Sequence, residues 1–230
     1  MEAFNCIKTR RSIRKYLQKA VEFDKVCLIL DAAAKAPSSG NLQDYRFIVI
    51  TDKNKIRLIA DHCSEQYWIS EAPLLIIVCS DIERTESYYG LRGQRLYSIQ
   101  NAAAAIQNIL LSAHALGLGA CWIGSFDEGF LSSEFGIPEK VRPQAIIPIG
   151  YSAENPEEKD KCQLNSIVYF NAYGNKIKNL NALLHEYNKE IERYIKQADP
   201  VVDNTIDKIK HKTKHFIKKA KESMNRKKSQ

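Results

Sequence analysis

Residues 97–116, YSIQNAAAAIQNILLSAHAL, constrain this chain more than any other stretch. Alanine, isoleucine and leucine recur around nearly the whole circumference of a helix over this span. Such a helix has to be covered on almost every side. A chain of 230 residues folding alone struggles to cover it. The helix therefore belongs in the middle of the molecule, or against a second copy. GLG at 117–119 stops it.

The flanking segments alternate in type. Residues 3–9 suit a short helix with Phe4 and Ile7 on one face. A second helix is predicted from Asp24, as N-cap, to Ala36, burying Val26, Ile29, Leu30 and Ala33 and ending before Pro37. Phe47–Ile50 reads as a strand and 53–63 as a helix. PLLIIVC at 73–79 is apolar without interruption, the mark of a central strand covered on both faces. Cys121–Gly124 and Ala145–Ile149 read as further strands. The polar stretch 83–95, with Tyr88, Tyr89 and Gly90, is expected to be a mobile loop or lid.

Composition narrows the function classes. With 44% apolar and 27% charged residues the chain is ordinary globular material, neither collagen-like nor wholly disordered. No apolar run is long enough for a membrane-spanning helix. MEAFNCIKTRRS lacks a signal-peptide apolar core, so a cytoplasmic protein is expected. The six cysteines are too widely spaced for a zinc ribbon, a cluster run or a disulfide framework. Cys27, Cys79 and Cys121 lie in apolar surroundings and read as small core residues. His211 and His215 stand at i, i+4 in a lysine-rich segment and do not suggest a metal site, so no metal is expected.

Charge divides the chain. Residues 1–175 hold 19 Lys+Arg and 20 Asp+Glu, a net of −1, whereas 176–230 hold 15 and 7, a net of +8. The total of +7 is thus a property of the tail. Two regions follow: a body, 1–175, and a basic C-terminal extension, 176–230. Within the extension 180–197 looks helical, and 205–224 places Ile206, Ile209, Phe216, Ile217 and Ala220 at helical spacing. Such a tail leaves contact with nucleic acid or an anionic membrane open. A flavin-binding regulator docking through this tail is the alternative to an enzyme.

Three segments carry candidate chemistry. RRSIR at 10–14 offers forked guanidinium donors and a hydroxyl, which suit a phosphate; a solvated basic turn is the plain alternative. APSSGNLQDYRF at 36–47 puts Ser38, Ser39, Asn41 and Gln43 between a helix and a strand. Their amides and hydroxyls suit the edge of a heterocycle, or merely terminate a helix. LGLGACWIGSF at 116–126 flanks a short strand with glycines that let backbone approach a flat ligand. It is not GxGxxG opening a helix, and neither a P-loop nor GxSxG occurs.

In this order and spacing the three segments resemble the nitroreductase family of FMN-dependent oxidoreductases. EAPLLIIVCSD at 71–81, the helix through 99–124 and IIPIGYSAENP at 146–156 complete the resemblance, which covers about residues 1–174. It implies an α+β fold, with a mixed, mostly antiparallel sheet between helical layers. It also implies an intertwined homodimer built on the long helix; the helical C-terminal extension, 176–230, lies beyond the resemblance. It implies that Arg10, Arg11, Ser12 and Arg14 grip the FMN phosphate. Ser38, Ser39, Asn41 and Gln43 hold the ring or ribityl chain, usually from the other subunit. Trp122, Ile123 and Gly124 lie along the flavin through their backbone. A basic residue before the final strand completes the phosphate site; Lys161 aligns there, with Lys159 as competitor. NADH or NADPH would supply a hydride, and a small acceptor (nitroaromatic, quinone or flavin) would receive it. Two positions depart from the family pattern: Asp44-Tyr45, where Pro-Trp or Pro-Thr is usual, and Asn101, where Asp is common.

Overall fold

The fold is organised around β2, Leu74–Asp81, in a computed structural model that describes residues 2–64 and 66–176. Every β2 residue through Ser80 is buried, as the unbroken apolar run requires. β2 pairs on one side with β1, Tyr45–Ile50, and on the other with β4, Val141–Gly150. β4 pairs in turn with β3, which is only Gly119–Ala120. The order is β1-β2-β4-β3 and every pairing is antiparallel. Among the described residues the one parallel contact is an isolated bridge between Ser12 and Ala120. The β2–β4 register shifts between Val78 and Cys79, where Cys79 faces Pro143. Proline has no N–H for the ladder, and a bulge accommodates it.

Alternation along β2 sends successive side chains into two cores. Leu74, Ile76 and Val78, with Ala145, Ile147 and Ile149 of β4, meet α2 (Phe23–Ala34) and α5 (Ser98–Ala115). Leu75, Ile77, Cys79 and Ile146 point the other way, onto Ile56 and Ile59 of α3 (Lys53–Asp61) and Leu131 of α6 (Glu128–Glu134). The predicted arrangement, a sheet between helical layers, is thus the one found. A further helix, α1 (Ala3–Thr9), lies against α5 through Cys6, whose thiol donates to the Leu111 carbonyl at 3.3 Å.

Several details differ from the sequence reading. The stretch 83–95 is α4, Ile82–Arg92, followed by a π turn, Gly93–Tyr97, that leads into α5. Asp81 caps α4 by accepting from the Arg84 amide, a start signal that polar composition hid. α2 begins at Phe23 after Glu22, so Asp24 sits in its first turn and does not cap it. Cys27 is exposed, on the outer face of α2. The predicted strand 121–124 is reduced to one bridge, Ile123 with Ile146, because β3 ends at Ala120. α5 buries Ala102, Ala105, Ile106, Ile109 and Ala113, yet Ile99 is 43% exposed and Ala103, Ala104 and Leu111 are half-buried. The described residues of one chain do not cover the helix all round.

The chain divides into two units, 1–158 and 159–230. In the second, the described residues form a short helix, α7, Leu164–Ile167, and a cluster of Tyr169, Tyr173 and Lys176. The helices predicted over 180–197 and 205–224 lie outside the described residues.

Candidate functional site

Residues 12–17 are tied to the sheet by two isolated bridges, Ser12 with Ala120 and Tyr16 with Ser152. Ile13 and Tyr16 are buried, while Arg14 and Lys15 point outward. The Ile13 amide donates to the Ala120 carbonyl at 3.1 Å and the Leu17 amide to Tyr151 at 2.8 Å. The Tyr16 hydroxyl donates to the Ile13 carbonyl at 2.6 Å, and burial pushes its pKa far up. Glu154 fixes the outer turn: its Oε1 accepts from the amides of Arg14 at 2.5 Å and Lys15 at 3.1 Å. Gly119 permits the approach, since a Cβ there would stand 2.7 Å from the Ile13 side chain.

This packing sets RRSIR beside the segment after the long helix. Arg14 lies over the Trp68 ring at 5.7 Å. Arg11 is already engaged: its guanidinium donates to the carbonyls of Lys8 at 2.6 Å and Arg10 at 3.0 Å and pairs with Glu158 at 3.1 Å. Ile123 exchanges both backbone bonds with Ile146 at 3.0 Å. The amides of Trp122 and Gly124 find no backbone partner among the described residues, and Trp122 is 41% exposed. Alternate amides of an extended segment face opposite ways, so these two are turned off the sheet. His114, near the end of α5, accepts from or donates to Thr9 Oγ1 at 2.8 Å. Burial, with Arg10 and Arg11 nearby, holds its pKa below the usual value.

The loop 38–43 is built at the other end of α5. Gly40, Asn41 and Gln43 have φ of 56°, 56° and 50°, three left-handed residues in four. Ser38 Oγ accepts from the Gln43 amide at 2.9 Å, and Asn101 Oδ1 accepts from the Ser39 amide at 2.9 Å and from Ser39 Oγ at 3.3 Å. The exposed amides of Asn41 and Gln43 touch at 3.1 Å. Tyr89 of α4 closes on Gly40, whose added Cβ would stand 2.5 Å from its hydroxyl.

Within one chain, then, 10–14 and 119–124 come together and 38–43 does not join them. Ser39 is tied to Asn101 and Thr9 to His114. Those anchors lie thirteen positions apart on α5, about 20 Å along the axis. A groove of about 810 Å³ beside β1 is lined by Val21, Phe23, Val49, Ile56 and Arg57 and by none of the predicted residues. Lys159 and Lys161 belong to the second unit. Among the described residues no three His, Cys, Asp or Glu gather as a metal site, and no helix is long and apolar enough to cross a membrane.

The order of these segments and the fold they build match known proteins. The sequence profile of the nitroreductase family matches residues 7–76 and 64–151. The chain belongs to that family. A Methanothermobacter thermautotrophicus protein, provisionally named an NADH dehydrogenase/NAD(P)H nitroreductase, is 38% identical over 167 residues, spanning 70% of this chain and 82% of its own. The Bacillus subtilis FMN reductase [NAD(P)H] is 25% identical over 208 residues, covering 84% of this chain and 83% of that protein. The structure of an FMN-dependent nitroreductase from Clostridium difficile R20291 aligns with a TM-score of 0.64 at 33% identity, covering 74% of this chain and 99% of the other.

Nitroreductase membership places the residues that sequence reasoning passed over in context. Glu154 was visible in the SAENP segment, but nothing local links a carboxylate there to amides 140 positions earlier. Tyr89, Trp68 and His114 carry no motif and take their places only through folding.

Proposed function

We propose that the protein is a homodimeric, cytoplasmic FMN enzyme that oxidises NADH or NADPH and reduces a small acceptor of nitroaromatic, quinone or flavin type. The observation that carries this reading is the division of the site along α5. A two-fold axis across the middle of that helix sets the start of one copy against the end of the other. Loop 38–43 of one copy then meets 10–14 and 119–124 of its partner. The incompletely covered face of α5 is the surface such a partner would bury.

The residues fit the cofactor. Arg14 faces outward on a braced segment, Arg10 and Ser12 stand half-buried beside it, and the three suit the phosphate; Arg11 is occupied elsewhere. Ser38, Ser39, Asn41 and Gln43 present amides and hydroxyls to the ring or ribityl chain. Trp122 and Gly124 offer amides that have no backbone partner among the described residues, beside the exposed Trp122 ring, with Ile123 locking the segment. Bound FMN supplies the hydride chemistry. Donor and acceptor occupy the same open place in turn, which makes turnover ping-pong, and parallel double-reciprocal plots test that. Residues 1–175 hold this machinery and 176–230 extend it; a chain ending after Gly174 should keep FMN.

The deciding experiment is anaerobic mixing of the yellow protein with NADH and, separately, NADPH. Rapid bleaching of the flavin band by either supports the reading. A colourless protein that also ignores added FMN ends it.

A further inference from the structure

We propose that Asp44 is a positioning residue for the cofactor loop, acting through Asn101. The inference rests on the reading that loop 38–43 holds the flavin.

Asp44 is fully buried at the head of β1. Its Oδ1 accepts from Asn101 Nδ2 at 2.6 Å, while Oδ2 has no partner among the described residues. A buried carboxylate with half its acceptors unused is a poor way to stabilise a fold. It is a good way to orient an amide. An ionised carboxylate only accepts, so Asn101 must turn its NH2 towards Asp44. Its Oδ1 is then committed to the Ser39 amide and hydroxyl. The reversed amide would set donor against donor at Ser39 and oxygen against oxygen at Asp44.

The loop needs such a brace. Asn41 and Gln43 are non-glycine residues at positive φ, a conformation that persists only where the surroundings enforce it. Asn101 and Ser38 brace the loop through side-chain bonds, Arg46 adds a bond to the Gln43 carbonyl at 3.1 Å, and through them the exposed amides of Asn41 and Gln43 are set. Burial raises the pKa of Asp44 and the Asn101 bond opposes that rise. The other charged or titratable groups bearing on it are Asp81, which caps α4, Arg46, which pairs with Asp81 at 2.8 Å, and Tyr45.

Three variants test the proposal: D44N, N101D and the exchange D44N/N101D. N101D sets two carboxylates face to face. They share a proton in acid and repel in alkali. Its FMN dissociation constant should rise about tenfold or more at about pH 8 and less at about pH 6. D44N/N101D moves the charge but keeps every bond: Asp at 101 accepts from Ser39 and from Asn at 44. It should return to within about threefold of the parent at both pH values. Hydrogen exchange at the Ser39 amide gives a second readout that needs no cofactor: fast in N101D, slow again in the exchange. N101A replaces N101D should the latter not fold, with the same loss of Ser39 protection. The proposal is overturned if the exchange is no better than N101D, or if D44N and N101D match the parent in affinity and protection. A parent protein that binds no FMN yet shows the exchange pattern at Ser39 would refute the cofactor reading and leave the Asp44 brace standing.

Discussion

Replacing Arg14 with alanine should cost FMN affinity and little else. The guanidinium is exposed and lies 5.7 Å from the centre of the Trp68 ring. An exposed cation–π contact is worth about 0.5–1 kcal/mol. The backbone of Arg14 is held independently of its side chain, because Glu154 grips the amides of residues 14 and 15. Loss of the side chain therefore leaves the segment in place. A charge-assisted bond to phosphate is worth about 1.5–3 kcal/mol, equivalent to about 10- to 150-fold in the dissociation constant. Titrating apoprotein with FMN and following flavin fluorescence measures this directly, and added salt should weaken the parent more than the variant. Arg11→Ala is the internal control, since its guanidinium is spent on Lys8, Arg10 and Glu158. Arg14→Ala binding FMN like the parent, with Arg11→Ala crippled, would refute the assignment of the phosphate contacts.

Gly40→Ala should weaken FMN and destabilise the protein by about 1 kcal/mol or more, from positive φ and the Tyr89 hydroxyl together; Tyr89→Phe should recover the steric part in the same melts. His114 should titrate below the ordinary 6.5 by proton NMR. Its unfolded form binds protons first, so apoprotein stability should fall as pH drops through about 6.5, and His114→Asn should flatten that slope. At most two of the six thiols should react quickly with a disulfide reagent in the native protein, Cys27 and Cys162. Burial pushes Cys63 and Cys79 up to about 12 and leaves them inert.

The elements that bury themselves by a simple period were legible in the sequence. The run at 73–79 read as a central strand, and α5 as a helix that has to be covered, within the molecule or by a second copy. Where capping and tertiary contact decide, the reading went astray. Residues 83–95 look like loop by composition and become α4 because Asp81 caps them and Thr85 packs inward. Cys27 sits in an apolar stretch but on the outer side of the α2 stripe set by Val26, Ile29 and Ala33. For the site, residue identity pointed to 10–14, 38–43 and 122–124, since phosphate and heterocycle binding draw on a small vocabulary of side chains. The braces behind them did not show. Glu154, Asn101 and Asp44 act across 140, 62 and 57 positions of chain, and no local pattern reports contacts that distant.

The central claim is that two copies share each FMN site. Mixed dimers test it: one chain carries R10A and R14A, the other N41A and Q43A, with different tags so that only the mixed species is purified. In a shared site, the intact arginines of one chain face the intact loop of the other, and both defects fall together in the second site. The account predicts one FMN per mixed dimer, bound with the affinity of the parent, and none at that affinity in either unmixed variant. A mixed dimer with no parent-like site would place both halves within a single chain and contradict it.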